Sequence, residues 1–152
     1  MGLLDIKFES QVKNLVVTND CYFTLQQHVT NVCASAYVEL RRIASIHQCF
    51  SCDATKAPII AFVSSTLDYC NSLLARVPKN LTDKLQRVQN AAARLAVRCR
   101  RQHHITPVLY SLHWLPVSRR IQYKVAFLCY CSLSEGGPRY LSEAQHKYTP
   151  FR

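Results

Sequence analysis

The sequence predicts a mainly α-helical protein, a helical bundle of about four to five helices with a short β segment at the N-terminus. The 152 residues include only three glycines and six prolines, too few for the many turns of an all-β fold. Hydrophobic residues make up 49% of the chain, which is enough for a core. Over long stretches these residues recur at intervals of three and four, the spacing that places them on one side of a helix.

The chain is long enough for one domain with a core, and the sequence predicts three segments. Residues 1–20 form a short strand segment, because Ile6–Val17 contains apolar runs with partial alternation, and Asn19-Asp20 is expected to end it. Residues 21–134 form the helical domain. Residues 135–152 form a linker and a C-terminal tail that contains one short helix.

Capping residues and prolines set the expected limits of the helices. Thr24 suits the N-cap of the first helix, Ser51 that of the second and Thr106 that of the fourth. Pro58 lies inside the second helix, where a late start or a kink near Thr55–Ala57 is expected. The predicted helices cover approximately 24–46, 53–76, 80–101, 106–112, 118–133 and 140–145.

The chain is strongly basic, with 19 lysines and arginines against nine acidic residues and a net charge of +10. Such a balance favours polyanions, nucleic acid first and a membrane surface second. The longest apolar stretch, Ala57–Leu67, is too short to cross a bilayer, and the N-terminal segment does not resemble a signal peptide. We therefore expect no membrane partner, an intracellular location (cytoplasmic, nuclear or both) and reduced cysteines.

The candidate binding residues lie on two predicted helices. On the third helix the apolar residues form one stripe, and basic residues flank it within an arc of about 100°. A solvated helix face usually mixes both signs of charge, whereas Asp83 is the only acid there. If the third and fifth helices are neighbours, their basic edges line one groove; the alternative is a merely solvated face. The candidate nucleic-acid-binding residues are Lys84, Arg87, Arg94, Arg98, Arg101, Arg119, Arg120 and Lys124.

No catalytic residue, metal or cofactor is expected. Phosphoryl transfer with two metal ions needs acidic groups close together, and no two of the five aspartates are neighbours in the sequence. Asp68 is interpreted as a helix residue that pairs with a nearby arginine or a backbone group. His47, Cys49 and Cys52 have the spacing of half a zinc site, but a second compact pair of ligands is missing. The alternative is a turn with two unpaired thiols.

The aromatic residues near the C-terminus are assigned mainly to packing. Tyr123, Phe127 and Tyr130 recur at helical spacing and predict a second packing stripe. Trp114 is expected to wedge the short fourth helix against the core, with base stacking as the alternative. Three cysteines on apolar stripes are also predicted to lie in the core: Cys70, Cys99 and Cys129.

Three long strings occur in order with short spacing: STLDYCNSLLARVP, KLQRVQNAAARLAVRCRRQHHITPVLYSLHWLPVSRRIQYK and GGPRYLSE. Together they resemble the region that follows the polymerase palm in the reverse transcriptases of non-LTR (LINE-type, jockey-like) retrotransposons. The upstream string VKNLVVTNDCYFTLQQHVTNVCASAYVELRRI is similar to the segment that leaves the palm in those proteins. The resemblance covers roughly Ile6 to Glu143.

The resemblance implies a non-catalytic piece of an RNA-directed DNA polymerase, its thumb and connection region. Such a region would contact template RNA or the RNA–DNA hybrid, and a palm domain in trans would be a further partner. The family commonly has glycine where Val16 stands, leucine where Asn19 stands and arginine where Thr66 stands, with nothing like Pro58. These departures leave a second hypothesis open, a helical interaction or structural protein that is the remnant of a transposon.

Overall fold

Helices account for most of the residues that the computed structural model describes, which are 11–134 and 139–144, so the mainly α class is confirmed. A π-helical turn, Ile59–Ser64, joins the second and third helices, and 3₁₀ turns span His47–Cys49 and Asn71–Arg76. The strands and α-helices are β1 (Gln11–Asn14), β2 (Val17–Asp20), α1 (Gln26–Ile46), α2 (Cys52–Pro58), α3 (Ser65–Asp68), α4 (Lys79–Ala96), α5 (Ile105–Ser111), α6 (Val117–Leu133) and α7 (Arg139–Ala144).

The N-terminal strands form one antiparallel hairpin in which Asn14 is opposite Val17. Leu15 and Val16 form its two-residue turn, with φ angles of 45° and 75°. Positive φ at both positions is what the tight turns of hairpins require. Because apolar residues occupy this turn, no turn signal is visible there in the sequence. Asn19 and Asp20, where the end of the strand is expected, are the last two residues of β2, and the strand ends at Asp20.

Helix α1 begins two residues later than its predicted cap. Leu25, in the left-handed region, precedes the helix, while the hydroxyl oxygen of Thr24 accepts from the N–H of Gln26 at 3.3 Å. The carboxylate of Asp20 accepts from the N–H of Thr24 at 2.7 Å, which fastens the end of the hairpin to the start of α1.

The second predicted helix is interrupted. Ser51 caps α2 as expected, because its hydroxyl oxygen accepts from the N–H of Ala54 at 3.1 Å. The kink expected near Thr55–Ala57 is wrong: α geometry continues through Pro58 and changes to the π turn only after it. The helix then ends at Asp68 instead of residue 76, since Cys70 has a φ of 51°.

Helices α4 and α5 also differ from their predicted limits. Helix α4 begins at Lys79 and ends at Ala96, so the expectation that it extends to residue 101 is wrong. Arg98 has a φ of 53°, and an L-residue in the left-handed region cannot continue a helix. Helix α5 begins after His104, which places Thr106 inside the helix instead of at its cap.

The core lies where α1, the π turn and α4 meet. Val17 of β2 also reaches this core, so the hairpin packs on the helical segment and is not separate from it. The fully buried apolar side chains are Val29, Ala36, Ile59, Val63, Val88, Ala93 and Ala96.

The predicted limits of the three segments remain predictions. The linker expected at 135–138 lies outside the described residues, while α7 agrees with the short helix expected in the tail.

A network of glutamines holds α6 against α4. The side-chain oxygen of Gln86 accepts from the N–H of Val117 at 2.9 Å, and the amide of the buried Gln89 donates to the Leu115 carbonyl at 2.8 Å. Gln86 also donates to the side chains of Gln89 and Asn90. These bonds satisfy polar groups that burial would otherwise penalise, so they fix the start of α6 on α4.

Candidate nucleic-acid interface

Lys84 and Arg87 lie one turn apart on α4 and are both exposed. They line a groove of about 290 Å³ whose other wall is α1, with Thr30, Cys33 and Tyr37. Neither cation forms an ion pair in the part of the chain that the structure describes. This edge of α4, which we call the α1–α4 groove, therefore presents uncompensated positive charge to solvent.

The positive charge of the α1–α4 groove affects the pKa of the Cys33 thiol. Burial raises the pKa of this thiol above its ordinary value of 9.0, and the positive charge of Lys84 partly opposes that rise. Burial disfavours the charged thiolate, whereas a nearby cation favours it. The thiol is therefore protonated at neutral pH, and the groove keeps its net positive charge.

Arg94 has a largely structural environment. Its side chain is half-buried, and one terminal nitrogen donates to the His103 carbonyl at 3.4 Å. Its Nε is buried without a hydrogen-bond partner among the described residues. Arg94 therefore braces the segment that leads from α4 to α5.

Arg98 and Arg101 lie beyond the end of α4, so the helical wheel does not describe them. One terminal nitrogen of Arg98 donates to the carbonyls of His47, at 2.7 Å, and Phe50. This contact ties the segment after α4 to the turn after α1, although carbonyl groups leave the positive charge uncompensated. Arg101 is exposed in the same segment.

The second basic cluster lies at the start of α6. Arg120 is the least exposed of its cations: it pairs with Asp68 at 2.7 Å and donates from Nε to the Leu115 carbonyl at 2.9 Å. The prediction that Asp68 pairs with a nearby arginine is thus confirmed. Arg119 and Lys124 are exposed, and Arg119 donates to the side chain of Gln122 at 3.1 Å.

Two residues of each basic cluster line a groove, and the two grooves are different. Although α4 and α6 are in contact, Arg120 and Lys124 lie on a separate groove of about 480 Å³, which we call the α6 groove. Its lining shares no residue with the α1–α4 groove. The expected single groove is therefore wrong, because the glutamines of α4 face α6 while Lys84 and Arg87 face α1. The α6 groove is lined by Ile60, Ser64, Asp68, Asn71, His113, Trp114, Leu115, Arg120, Tyr123 and Lys124.

The aromatic residues of α6 are not a packing stripe. Tyr123 and Tyr130 are 65% and 69% exposed, and Phe127 is also exposed. The rings of Tyr123 and Phe127 are stacked, with centroids 6.2 Å apart. Trp114 is half-buried and packs against the core, as expected. The missed signal in the sequence is the alternation of aromatic with basic residues, Tyr123 next to Lys124 and close to Arg119.

The cysteine-rich turn does not assemble a metal site. His47 makes a 2.5 Å contact from Nδ1 to the Ala44 carbonyl, and the thiols of Cys49 and Cys52 are free and exposed. No three histidine, cysteine or acidic side chains come together as potential ligands within residues 11–134 and 139–144. Two of the cysteines predicted in the core, Cys70 and Cys129, are exposed.

Comparison with known proteins identified no relative of this chain. No protein-family model matches the chain, and no match was found among curated proteins or among solved structures. Of the helices in the described residues, none combines the length and apolarity needed to span a bilayer.

Proposed function

We propose that this chain binds RNA or an RNA–DNA hybrid as the thumb and connection region of a non-LTR retrotransposon reverse transcriptase, without catalysis of its own. The proposal rests on one observation, that most of the candidate basic side chains are exposed and form no ion pair. Six of the eight candidate residues are exposed and form no ion pair within the described chain: Lys84, Arg87, Arg98, Arg101, Arg119 and Lys124. The strings that resemble such reverse transcriptases support the same assignment.

The exposed cations suit phosphate better than they suit an internal role. Only three ion pairs form among the described residues, and one of them, Arg120 with Asp68, uses a candidate cation. A net charge of +10 on 152 residues also favours association with polyanions. Arg87 adds the planar guanidinium that binds phosphate oxygens in pairs, and Lys84 adds a second charge one turn away.

The test is a double charge reversal at the α1–α4 groove, Lys84→Glu with Arg87→Glu. Both side chains are exposed, so the fold should tolerate the change. Binding to a short RNA–DNA hybrid should weaken, and the slope of log affinity against log salt should flatten by about 1.8, since each lost phosphate contact removes about 0.9. Fluorescence anisotropy over a series of salt concentrations measures both quantities.

The matched control is Arg76→Glu with Lys79→Glu. These residues are also exposed and line neither groove, and the substitution changes the net charge equally. If net charge alone drives association, the two double variants will lose affinity to the same extent. An equal loss, or unchanged binding in the α1–α4 variant, contradicts the proposal.

A second candidate function, a helical protein-interaction surface, is favoured by a specific feature of the hairpin and the residues that follow it. Leu15, Val16, Tyr22 and Phe23 are all more than half exposed within nine residues of sequence. Several large exposed apolar side chains within one short segment are typical of surfaces that meet another protein. A palm domain in trans would be such a partner for a separated thumb region.

Size-exclusion chromatography and salt-dependent hybrid binding, measured on one preparation, distinguish the two functions. A monomer whose binding weakens steeply with salt supports the nucleic-acid function. An oligomer with only weak, charge-proportional binding supports the interaction surface.

A further inference from the structure

The α6 groove carries aromatic side chains that the proposed function does not use. The side chains that line it include those of Trp114, Tyr123, Asn71, Asp68 and Lys124. The volume of about 480 Å³ is within the range of small-ligand sites, which is about 300–1,000 Å³. The groove is therefore large enough for a nucleic-acid base.

We propose that the α6 groove takes an unpaired base of a single-stranded nucleic acid, stacked on Tyr123 beside Trp114, with Lys124 and Arg119 on the adjoining phosphates. This inference rests on the proposed function and names the strand class that α6 binds. Base stacking on exposed aromatic side chains, combined with basic residues along the backbone, is the general physical basis of single-strand binding. A base paired inside a duplex cannot offer its face to a side chain in this way.

The stacking ring is held in place before a ligand arrives. Tyr123 is stacked on Phe127 with an angle of 19° between the ring planes, so one face of Tyr123 is already supported. Tyr123 as a whole is still 65% exposed, and it borders the groove. A ring that is both supported and exposed loses little conformational freedom on binding.

One residue that lines the groove, Asn71, has an unsatisfied polar atom, which is a second and independent observation that points to a ligand. Asn71 is 5% exposed, and its Oδ1 has no hydrogen-bond partner among the described residues. Its amide nitrogen makes only a long contact of 3.4 Å to Asp68. A buried acceptor without a donor is costly, and the exocyclic amine of a base is a donor of suitable size.

Of the three cations at or beside the groove, one is held by other groups of the protein and two are available to a ligand. The ion pair with Asp68 and the bond to the Leu115 carbonyl fix Arg120 as part of the groove wall. Lys124 and Arg119 are exposed, and no acidic partner lies within ion-pair distance of either in the described chain. Both are therefore available for phosphate, one on each side of the position of Tyr123.

The experiment compares two tyrosines of the same helix. Tyr123 and Tyr130 are exposed to nearly the same extent, but only Tyr123 borders the groove. Tyr123→Ala should weaken binding of a short oligocytidine strand by about 5- to 150-fold, the usual effect of losing one base–aromatic stack. Tyr130→Ala and Tyr123→Phe should keep the wild-type affinity, and far-UV circular dichroism should show all three variants folded.

Trp114 provides an internal signal of occupancy, because it is the only tryptophan of the chain and lines the groove. Oligocytidine should quench its fluorescence in the wild-type protein and in Tyr130→Ala, and should quench it much less in Tyr123→Ala. Equal losses of affinity in the two alanine variants, or no loss in either, overturn the groove assignment.

The RNA–DNA hybrid separates this inference from the function on which it rests. Tyr123→Ala should leave hybrid affinity unchanged, while reversal of Lys84 and Arg87 should weaken it. If that reversal weakens hybrid binding but Tyr123→Ala affects neither ligand, the single-strand site fails and the proposed function stands. If the wild-type protein binds neither ligand, both fail.

Discussion

The turn of the β hairpin predicts that a glycine substitution stabilises this protein. Val16 has a φ of 75° and follows Leu15, which also has a positive φ. A β-branched residue is strongly disfavoured there, because its side chain collides with the backbone in the left-handed region. Glycine is the residue that the resembled reverse transcriptases commonly have at this position. We therefore expect Val16→Gly to stabilise the fold.

The expected gain in the free energy of unfolding is the relieved backbone strain minus two losses, one in chain entropy and one in side-chain burial. Strained backbone of this kind costs about 1–3 kcal/mol, and a branched residue lies in the upper part of that range. Glycine returns about 0.5–1 kcal/mol through the greater freedom of the unfolded chain. Val16 is 64% exposed, so its lost side chain forfeits only about a third of full burial, roughly 0.5–1 kcal/mol. The net stabilisation is about 1 kcal/mol.

Urea unfolding monitored by circular dichroism measures this change, which should appear as a higher midpoint at an unaltered slope. In thermal unfolding the same change should raise Tm by about 2–4 °C for a chain of this length. Val12→Gly is the matched control: Val12 is 58% exposed in β1 and has no positive φ, so glycine should destabilise it. The reasoning is refuted if Val16→Gly destabilises the protein as much as Val12→Gly does.

Two further substitutions test structural roles in the helical part. Arg98→Ala should lower the free energy of unfolding by about 1 kcal/mol, because Arg98 donates to the carbonyls of His47 and Phe50. The control is Arg100→Ala, which replaces an exposed arginine and should change the free energy of unfolding by less than about 0.5 kcal/mol. Equal urea midpoints for the two variants would show that the carbonyl contacts contribute nothing to stability. Burial lowers the pKa of His28 below its ordinary value of 6.5, so between 6.5 and that lower pKa the unfolded chain binds a proton that the folded protein excludes. Stability from His28 is therefore complete above pH 6.5 and is lost as the pH falls toward the folded pKa. His28→Gln should flatten this part of the profile of unfolding midpoint against pH, and an unchanged profile would assign the pH dependence to other groups.

The sequence by itself determined the helical class and the long helices. The apolar residues of α1 recur at threes and fours, and they are the residues that the structure buries, including Val29, Ala36 and Ile43. Ser51 caps α2, and α6 ends at the predicted residue, Leu133. These features depend on interactions between residues close in the chain, so periodicity and capping chemistry suffice to predict them.

Only the tertiary structure decided what each cation and aromatic ring faces. Helical periodicity placed Arg94 and Arg98 beside the apolar stripe of the third helix, but their guanidinium groups donate to carbonyls of other segments. Asp68 binds the guanidinium group of Arg120. It placed Tyr123 on a packing stripe, yet no element covers that side of α6 in the described chain, and the ring borders a groove.

A helical wheel gives the direction of a side chain from its own axis, whereas its partners come from segments far away in sequence. The glutamines of α4 bind the start of α6 and so separate the two basic clusters, and this contact joins residues 26 to 31 positions apart. Local sequence patterns carry no information about such a contact, because it depends on where the chain returns after two intervening turns.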